Sequence, residues 1–200
     1  MIKWWLIVAK KEMTKMWIDD TFLPVTLVKV VPQEVLRYKT QEKDGYVAAV
    51  IGADKKTLKK EKWQKVAYST VVELKVDEDF IKNNETGKIL DSALLEGVSL
   101  VDVIWYAKGK WYQGVMKRHH AEGWPKTHGS KFHRHIGSLG NRKPRRTLKG
   151  HPHAGHMGTQ RVTLQKIQVV DRLSRDDEQL IVLRWSLPGA YNGLLQLIIK

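Results

Sequence analysis

The sequence predicts a mainly β protein. Its body is a small barrel or sandwich carrying a long, basic, largely irregular loop extension and a less regular α+β insertion. Three observations predict this. Short β-branched runs recur between Pro, Gly and Asp turns, with little helical periodicity. One 56-residue stretch, 106–161, holds thirteen Lys or Arg residues against a single acid, Glu122, and so carries +12 of the formal +14 charge. A third stretch, about 54–97, fits neither pattern, being rich in lysine at its start and acidic and turn-rich later.

Taken in order, residues 2–9 are apolar but far too short to span a bilayer, and Lys10-Lys11 follows where a cleavage site would stand. They are read as a first strand, centred on 4–8. Residues 24–31 are β-branched and bounded by Pro24 and Pro32, a second strand. Residues 38–41 and 46–51 read as a pair joined by Glu42-Lys43-Asp44-Gly45, whose glycine serves a positive φ. In 54–65 Lys55, Lys56, Lys59, Lys60, Lys62 and Lys65 interleave with Leu58 and Trp63. This is either a solvated helix face or a second phosphate-contacting patch, with Lys55, Lys56, Lys59 and Lys60 as its candidates. Val72, Leu74 and Val76 alternate with charges, a half-buried strand, and 77–97 is placed on the surface.

Val101, Val103 and Trp105 alternate in a strand that runs into the basic stretch. Beyond it, Val162 and Leu164 are followed by Ile167 and Val169, a change of phase at Gln165-Lys166 that predicts a bulge. A polar loop at 174–178, a return strand at 180–184, turns at Pro188-Gly189 and Asn192-Gly193, and a last strand at 194–199 complete the body. The body is thus 1–105 and 162–200, with the insertion inside it, and 106–161 is an extension anchored at both ends by strands.

The extension has almost no aliphatic runs, so it buries too little apolar surface to offset the entropy of ordering itself. Its charge identifies the ordering partner as a polyanion. The rest of the chain is close to neutral, and a basic arm on a neutral body favours nucleic acid. The candidate contact residues are Lys108, Lys110, Gln113, Lys117, Arg118, His119, His128, Lys131, His133, Arg134, Arg142, Lys143, Arg145, Arg146, Lys149, His153, His156 and Arg161. Arginine holds phosphate in bidentate fashion and stacks on bases, whereas lysine supplies point charges. Gly129, Gly137, Gly140, Gly155 and Gly158 permit positive φ and close backbone approach to phosphate. Trp111, Tyr112, Trp124 and Phe132 are either stacking faces for unpaired bases or small packing centres.

All eight histidines lie in this stretch, and His133-Arg134-His135 and His151-Pro152-His153 with His156 have spacings open to a metal. A catalytic metal, however, calls for carboxylates that the stretch lacks, and its cations repel another cation. Ser130 and Ser138 have no orienting acid or nucleophile elbow, and Gly109-Lys110 lacks the glycine spacing of a P-loop. No catalytic residue, metal site or cofactor is expected, apart from Mg2+ belonging to an RNA environment. Nor is a membrane or a small-molecule substrate expected. With no cysteine there is no disulfide framework, which fits a cytoplasmic protein. Composition alone leaves open a free-standing RNA-binding or RNA-chaperone module.

The blocks Lys108-Gly109-Lys110, Gln113 to His119, Thr127 to Arg134, Gly137 to Gly140, Lys149-Gly150, Ala154 to Gly158 and Arg161-Val162-Thr163 resemble the bacterial-type ribosomal protein L3 (uL3) family in order and spacing. Weaker similarity runs through Met13-Thr14, Pro24-Val25-Thr26, Glu42 to Tyr46, Val101 to Val103 and Leu187 to Gly189. The chain departs from the family at Glu12, at Trp111-Tyr112, in the tip around Arg142 to Arg146, and at His156, where some bacterial relatives carry a glutamine that is methylated. The resemblance implies a closed β-barrel of the translation-protein type. It also implies a structural role in the large ribosomal subunit of the cytoplasm, without enzymatic activity. The partners so implied are a 23S-type rRNA, near its 3′ end, and neighbouring large-subunit proteins. It further implies early binding in subunit assembly and a loop reaching toward the peptidyl transferase centre.

Overall fold

The structure is a computed structural model that describes residues 4–60, 63–143, 145–175 and 178–199, with the side chains of residues 4, 57–60, 63–66 and 175 outside that description. The elements in order are β1 (Trp4–Ile18), β2 (Thr21–Val30), β3 (Gln33–Lys39), α1 (Gln41–Asp44), β4 (Ala48–Lys60), β5 (Trp63–Lys75), α2 (Glu78–Asn83) and β6 (Ile89–Leu90). A 3₁₀ turn (Ser92–Leu95), β7 (Leu100–Tyr106), β8 (Tyr112–Gln113), α3 (Val115–His119), β9 (Gly155–His156), β10 (Arg161–Arg175), β11 (Glu178–Arg184) and β12 (Leu194–Ile199) follow. The protein is mainly β, as its sequence predicts. Residues 1–106 and 161–200 form one compact unit and Ala107–Gln160 another.

In the first unit the strands β1-β12-β7-β10-β11-β2 close into a barrel through antiparallel pairings. Its core is aliphatic: Leu6, Val8, Val28, Val103, Ile181, Leu183, Leu195 and Leu197 are essentially inaccessible. Each such side chain contributes about 1.5–3 kcal/mol relative to exposure. Alternation along β1 lets one strand serve two cores. Leu6 and Val8 enter the barrel, while Ile7 joins Val35, Ile51, Leu74, Phe80 and Leu90 in a second cluster. Gln33 ties β1 to the start of β3 beside the second cluster: its amide accepts from Ile7 N at 3.0 Å and donates to the carbonyls of Ile7 and Val31. A buried amide with all three bonds made carries no desolvation penalty.

The bulge expected at Gln165-Lys166 is present. Pairing of β10 with β7 shifts register between Leu164 and Ile167. Lys166 takes φ +55° there, and its backbone N–H donates to Asp102 Oδ1 at 2.8 Å. A second shift, between Val169 and Asp171 against β11, has no signature in the hydrophobic pattern.

Other expectations need correction. The first strand runs on to Ile18, and Pro24 lies inside β2 rather than bounding it, because its carbonyl still accepts from Trp185 N. Residues 41–44 form a helical turn, with Gly45 capping it at φ +77°. The loop at 174–178 is shorter than read, since Ser174 and Arg175 already pair with Gln179 and Glu178. The insertion is larger and more regular than 54–97. It is a four-stranded sheet, β5-β4-β3-β6, that begins at Gln33. The helix-face reading of 54–65 is wrong: Lys55 to Lys60 pair with Tyr68 to Trp63 in a long antiparallel ribbon. Nor is 77–97 purely superficial, because Phe80, Asn84, Leu90 and Leu95 are buried.

Candidate nucleic-acid interface

The second unit is built upward from a two-chain ladder. Ala107 N donates to Gln160 O (2.8 Å), Thr159 N to Ala107 O (3.2 Å), Lys110 N to Met157 O (2.9 Å) and Met157 N to Trp111 O (3.0 Å). The pairing ends with Tyr112 opposite His156 and Gln113 opposite Gly155. The crossing is close enough to demand glycine at 158. A Cβ there would lie 2.3 Å from the Lys108 carbonyl oxygen and 2.9 Å from Lys110 N, and φ is +85°. Trp111 and Thr159 also take positive φ, so the ladder is twisted by residues that normally avoid that region.

Above the ladder, α3 puts Lys117, Arg118 and His119 in a single short turn, closed by His120 at φ +56°. Val115 is its buried anchor. Arg118 folds inward: Nη1 donates to His153 O at 2.9 Å, and a Cβ on Gly155 would strike that nitrogen at 2.5 Å. Gly155 leaves room for the Arg118 guanidinium and has no positive φ, and Gly137 likewise has none. Gly129, Gly140 and Gly158 do. His119 Nε2 lies 3.1 Å from the same His153 carbonyl.

Further out, two short segments are tied together. Trp124 N donates to His133 O (3.0 Å), Trp124 Nε1 to His135 O (3.3 Å), and His133 Nδ1 lies 2.8 Å from Pro125 O. The Phe132 and His135 rings are 4.7 Å apart.

The candidate contact residues are displayed accordingly. Lys108, Lys110, Lys117, His119, His128, Lys131, Arg134, Arg142, Lys143, Arg145, Arg146, Lys149 and His156 are exposed, and so is Arg161 at the start of β10. Gln113, Arg118, His133 and His153 are half-buried and hold the unit together internally. Every ion pair among the described residues lies outside this unit. Apart from the inward-turned Arg118, its described cations thus face solvent without an ion-pair partner. Trp111 is 82% exposed and presents its face to solvent, whereas Phe132, 60% exposed, also packs on the His135 ring.

Several histidines engage the unit itself: His119 and His133 approach backbone carbonyls and His135 packs on Phe132. The His151 and His153 rings meet at a tilt with centroids 5.1 Å apart, and His156 Nε2 is 3.2 Å from Thr159 Oγ1. Among the described residues no cluster of three or more His, Asp or Glu is arranged to hold a metal ion.

The secondary patch is not assembled on one face. Lys55 and Lys56 are consecutive in β4 and so point to opposite sides. Lys55 Nζ sits 3.4 Å from Glu34 and Lys56 Nζ 3.4 Å from Asp54. Lys59 and Lys60 continue the strand, with side chains outside the described residues. Sequence reasoning missed the carbonyl of His153 as an organising acceptor, because backbone groups carry no residue signature.

A family profile described as Ribosomal protein L3 matches residues 69–182. Among curated proteins, the chain is 36% identical over 197 residues to the large ribosomal subunit protein uL3 of Thermotoga petrophila, covering 95% of this chain and 94% of that one. It is 37% identical over 196 residues to uL3 of Oceanobacillus iheyensis, with 94% and 93% covered. The uL3 of Deinococcus radiodurans is 37% identical over 195 residues, with 94% and 91% covered.

Proposed function

Because the chain belongs to the ribosomal protein L3 family, we propose that it is a structural, non-enzymatic component of the large ribosomal subunit that binds large-subunit rRNA through 106–161. The carrying observation is the second unit's set of exposed cations without an ion-pair partner among the described residues, mounted on a ladder of backbone hydrogen bonds. Such a surface binds phosphate by counterion release. Each phosphate neutralised steepens the log–log salt dependence by about 0.9 on a duplex. Exposed Trp111, Tyr112 and Phe132 add stacking faces for unpaired bases.

The barrel, of the translation-protein type, is the anchor, and the loop from it extends toward the peptidyl transferase centre. The rRNA partner is 23S-type, contacted near its 3′ end early in assembly, alongside neighbouring large-subunit proteins in the cytoplasmic ribosome. Lys55 and Lys56 of the expected secondary patch are paired with Glu34 and Asp54 on opposite sides of β4, so any second phosphate contact there, with Lys59 and Lys60, is lesser than that of 106–161. No cofactor takes part, and Mg2+ enters only with the rRNA. Among the described residues no helix is long and apolar enough to cross a membrane.

The test is sedimentation of ribosomes from cells carrying a tagged chain. Roughly one copy per large subunit, retained through a moderate salt wash, is the expected result. A chain that washes off at the same salt and returns to no defined particle fits the chaperone-like module instead.

A further inference from the structure

Past the register shift at Lys10/Met13, β1 and β2 continue as a two-stranded ribbon ending in the turn Asp19-Asp20, whose φ angles are +45° and +59°. One face of this ribbon is open and carries large apolar side chains around a single lysine. Trp17 pairs with Phe22, their rings meeting edge-on at 4.5 Å, and each is 58% exposed. Met13, two positions of the same strand phase away, is 50% exposed. Lys15 lies between them with Nζ 4.8 Å over the Phe22 ring. Large aromatics displayed on a ribbon end contribute nothing to a core. Their burial is worth having only against a partner.

The local charge says which kind of partner. The patch from Met13 to Pro24 sets two acids, Asp19 and Asp20, against one cation, Lys15, whose Nζ is already over the Phe22 ring, whereas 106–161 is overwhelmingly cationic. The two carboxylates repel a phosphate backbone at the place where the aromatic face ends. They suit a cationic polypeptide.

We propose that the end of the β1–β2 ribbon is a docking site for a basic protein segment. Trp17 and Phe22 cover an aliphatic stretch of that segment, and Asp19 and Asp20 receive its Lys or Arg side chains. The inference rests on the assignment to the large subunit and adds to it where on the barrel unit a neighbouring protein attaches and with what chemistry. RNA at this face is the alternative outcome.

The experiment replaces Phe22 by the photoreactive p-benzoylphenylalanine (Phe22→p-benzoylphenylalanine) in the full chain, and irradiates purified large subunits that contain it. The expected adduct survives nuclease, is lost to protease, and maps to a Lys- or Arg-rich peptide of another protein. Asp19→Lys with Asp20→Lys should lower the adduct yield per incorporated copy by about tenfold or more, as reversal of close charge pairs does at other interfaces. An RNA adduct, an adduct with an acidic peptide, no adduct, or a yield indifferent to the charge reversal each overturns the inference. These outcomes leave the chain's presence in the subunit intact. A chain absent from the subunit overturns the functional assignment itself, and the docking site with it.

Discussion

Replacing Gly158 by alanine tests whether the crossing of Lys108–Lys110 with Met157–Thr159 positions the cationic unit. Two penalties add. An L-residue at φ +85° is strained by about 1–2 kcal/mol. The new Cβ also meets backbone atoms, Lys108 O at 2.3 Å and Lys110 N at 2.9 Å, which no side-chain rotation relieves. The strands must part, and the neighbouring bonds Lys110 N to Met157 O and Met157 N to Trp111 O stretch or break. At about 1 kcal/mol for each such bond, the expected loss is about 3–4 kcal/mol. It is confined to the ladder, because the aliphatic core lies in the barrel. Gly150→Ala is the control: φ is +81°, but nothing lies within 4 Å of the added carbon, so only the strain applies. Amide exchange on the chain bound to a large-subunit rRNA fragment reads the difference, since 106–161 is expected to order only on a polyanion. Gly158→Ala should bring the amides of Ala107, Lys110, Met157 and Thr159 to the rate of open chain while barrel amides and the melting temperature stay unchanged. Gly150→Ala should leave those four amides protected. Equal protection of the ladder in both variants would refute the close crossing.

Other expectations are shorter to state. Arg145→Ala with Arg146→Ala should flatten the salt slope of binding to a large-subunit rRNA fragment by up to about 1.8, two phosphates' worth; an unchanged slope in filter binding removes these arginines from the phosphate backbone. Trp111→Ala should leave the melting temperature unchanged, since the ring is 82% exposed. It should weaken rRNA binding by about 1–3 kcal/mol if the ring stacks on a base. The third concerns the insertion sheet. Hydrogen bonds from Lys39, then Tyr46, hold the Glu73 carboxyl below its ordinary value of 4.5, and the bond to Glu73, then that to Tyr46, holds Lys39 above 10.5. A depressed acid contributes stability that is complete above its unfolded value and is lost as pH falls through the folded one. A raised lysine contributes stability below its unfolded value, lost as pH rises through the folded one. Glu73→Gln should therefore lower stability modestly near neutrality, with the gap closing below pH 4.5 in urea titrations.

What could be read from the chain alone follows from whether the relevant cause is local. The bulge at Gln165-Lys166 was legible because a change of phase is written in consecutive residues. Gly45 was legible because a positive φ selects glycine. The lysine-rich part of the β4–β5 ribbon, from Asp54 on, was not, although strands at its two ends were. Its lysines recur at three- and four-residue spacings that imitate a helix, and the competing pattern appears only when Lys55 is set opposite Tyr68 and Ala53 opposite Thr70. Phe80, Leu90 and Leu95 look isolated among charges, and their burial depends on β1, β3 and β4, strands distant in sequence.

The same division holds for the site. The excess of positive charge in 106–161 is a sum over residues, unaffected by how they fold, so the sequence by itself determined the cationic character from which a polyanionic partner is expected. Which cations are free for that task is decided by tertiary structure. Arg118, equal to its neighbours in the sequence, is turned inward because the carbonyl of His153 lies 35 positions away in the chain and 2.9 Å away in space. Hydrogen bonds and close backbone crossings of this kind join residues whose spacing carries no signal, and only the folded chain brings them together.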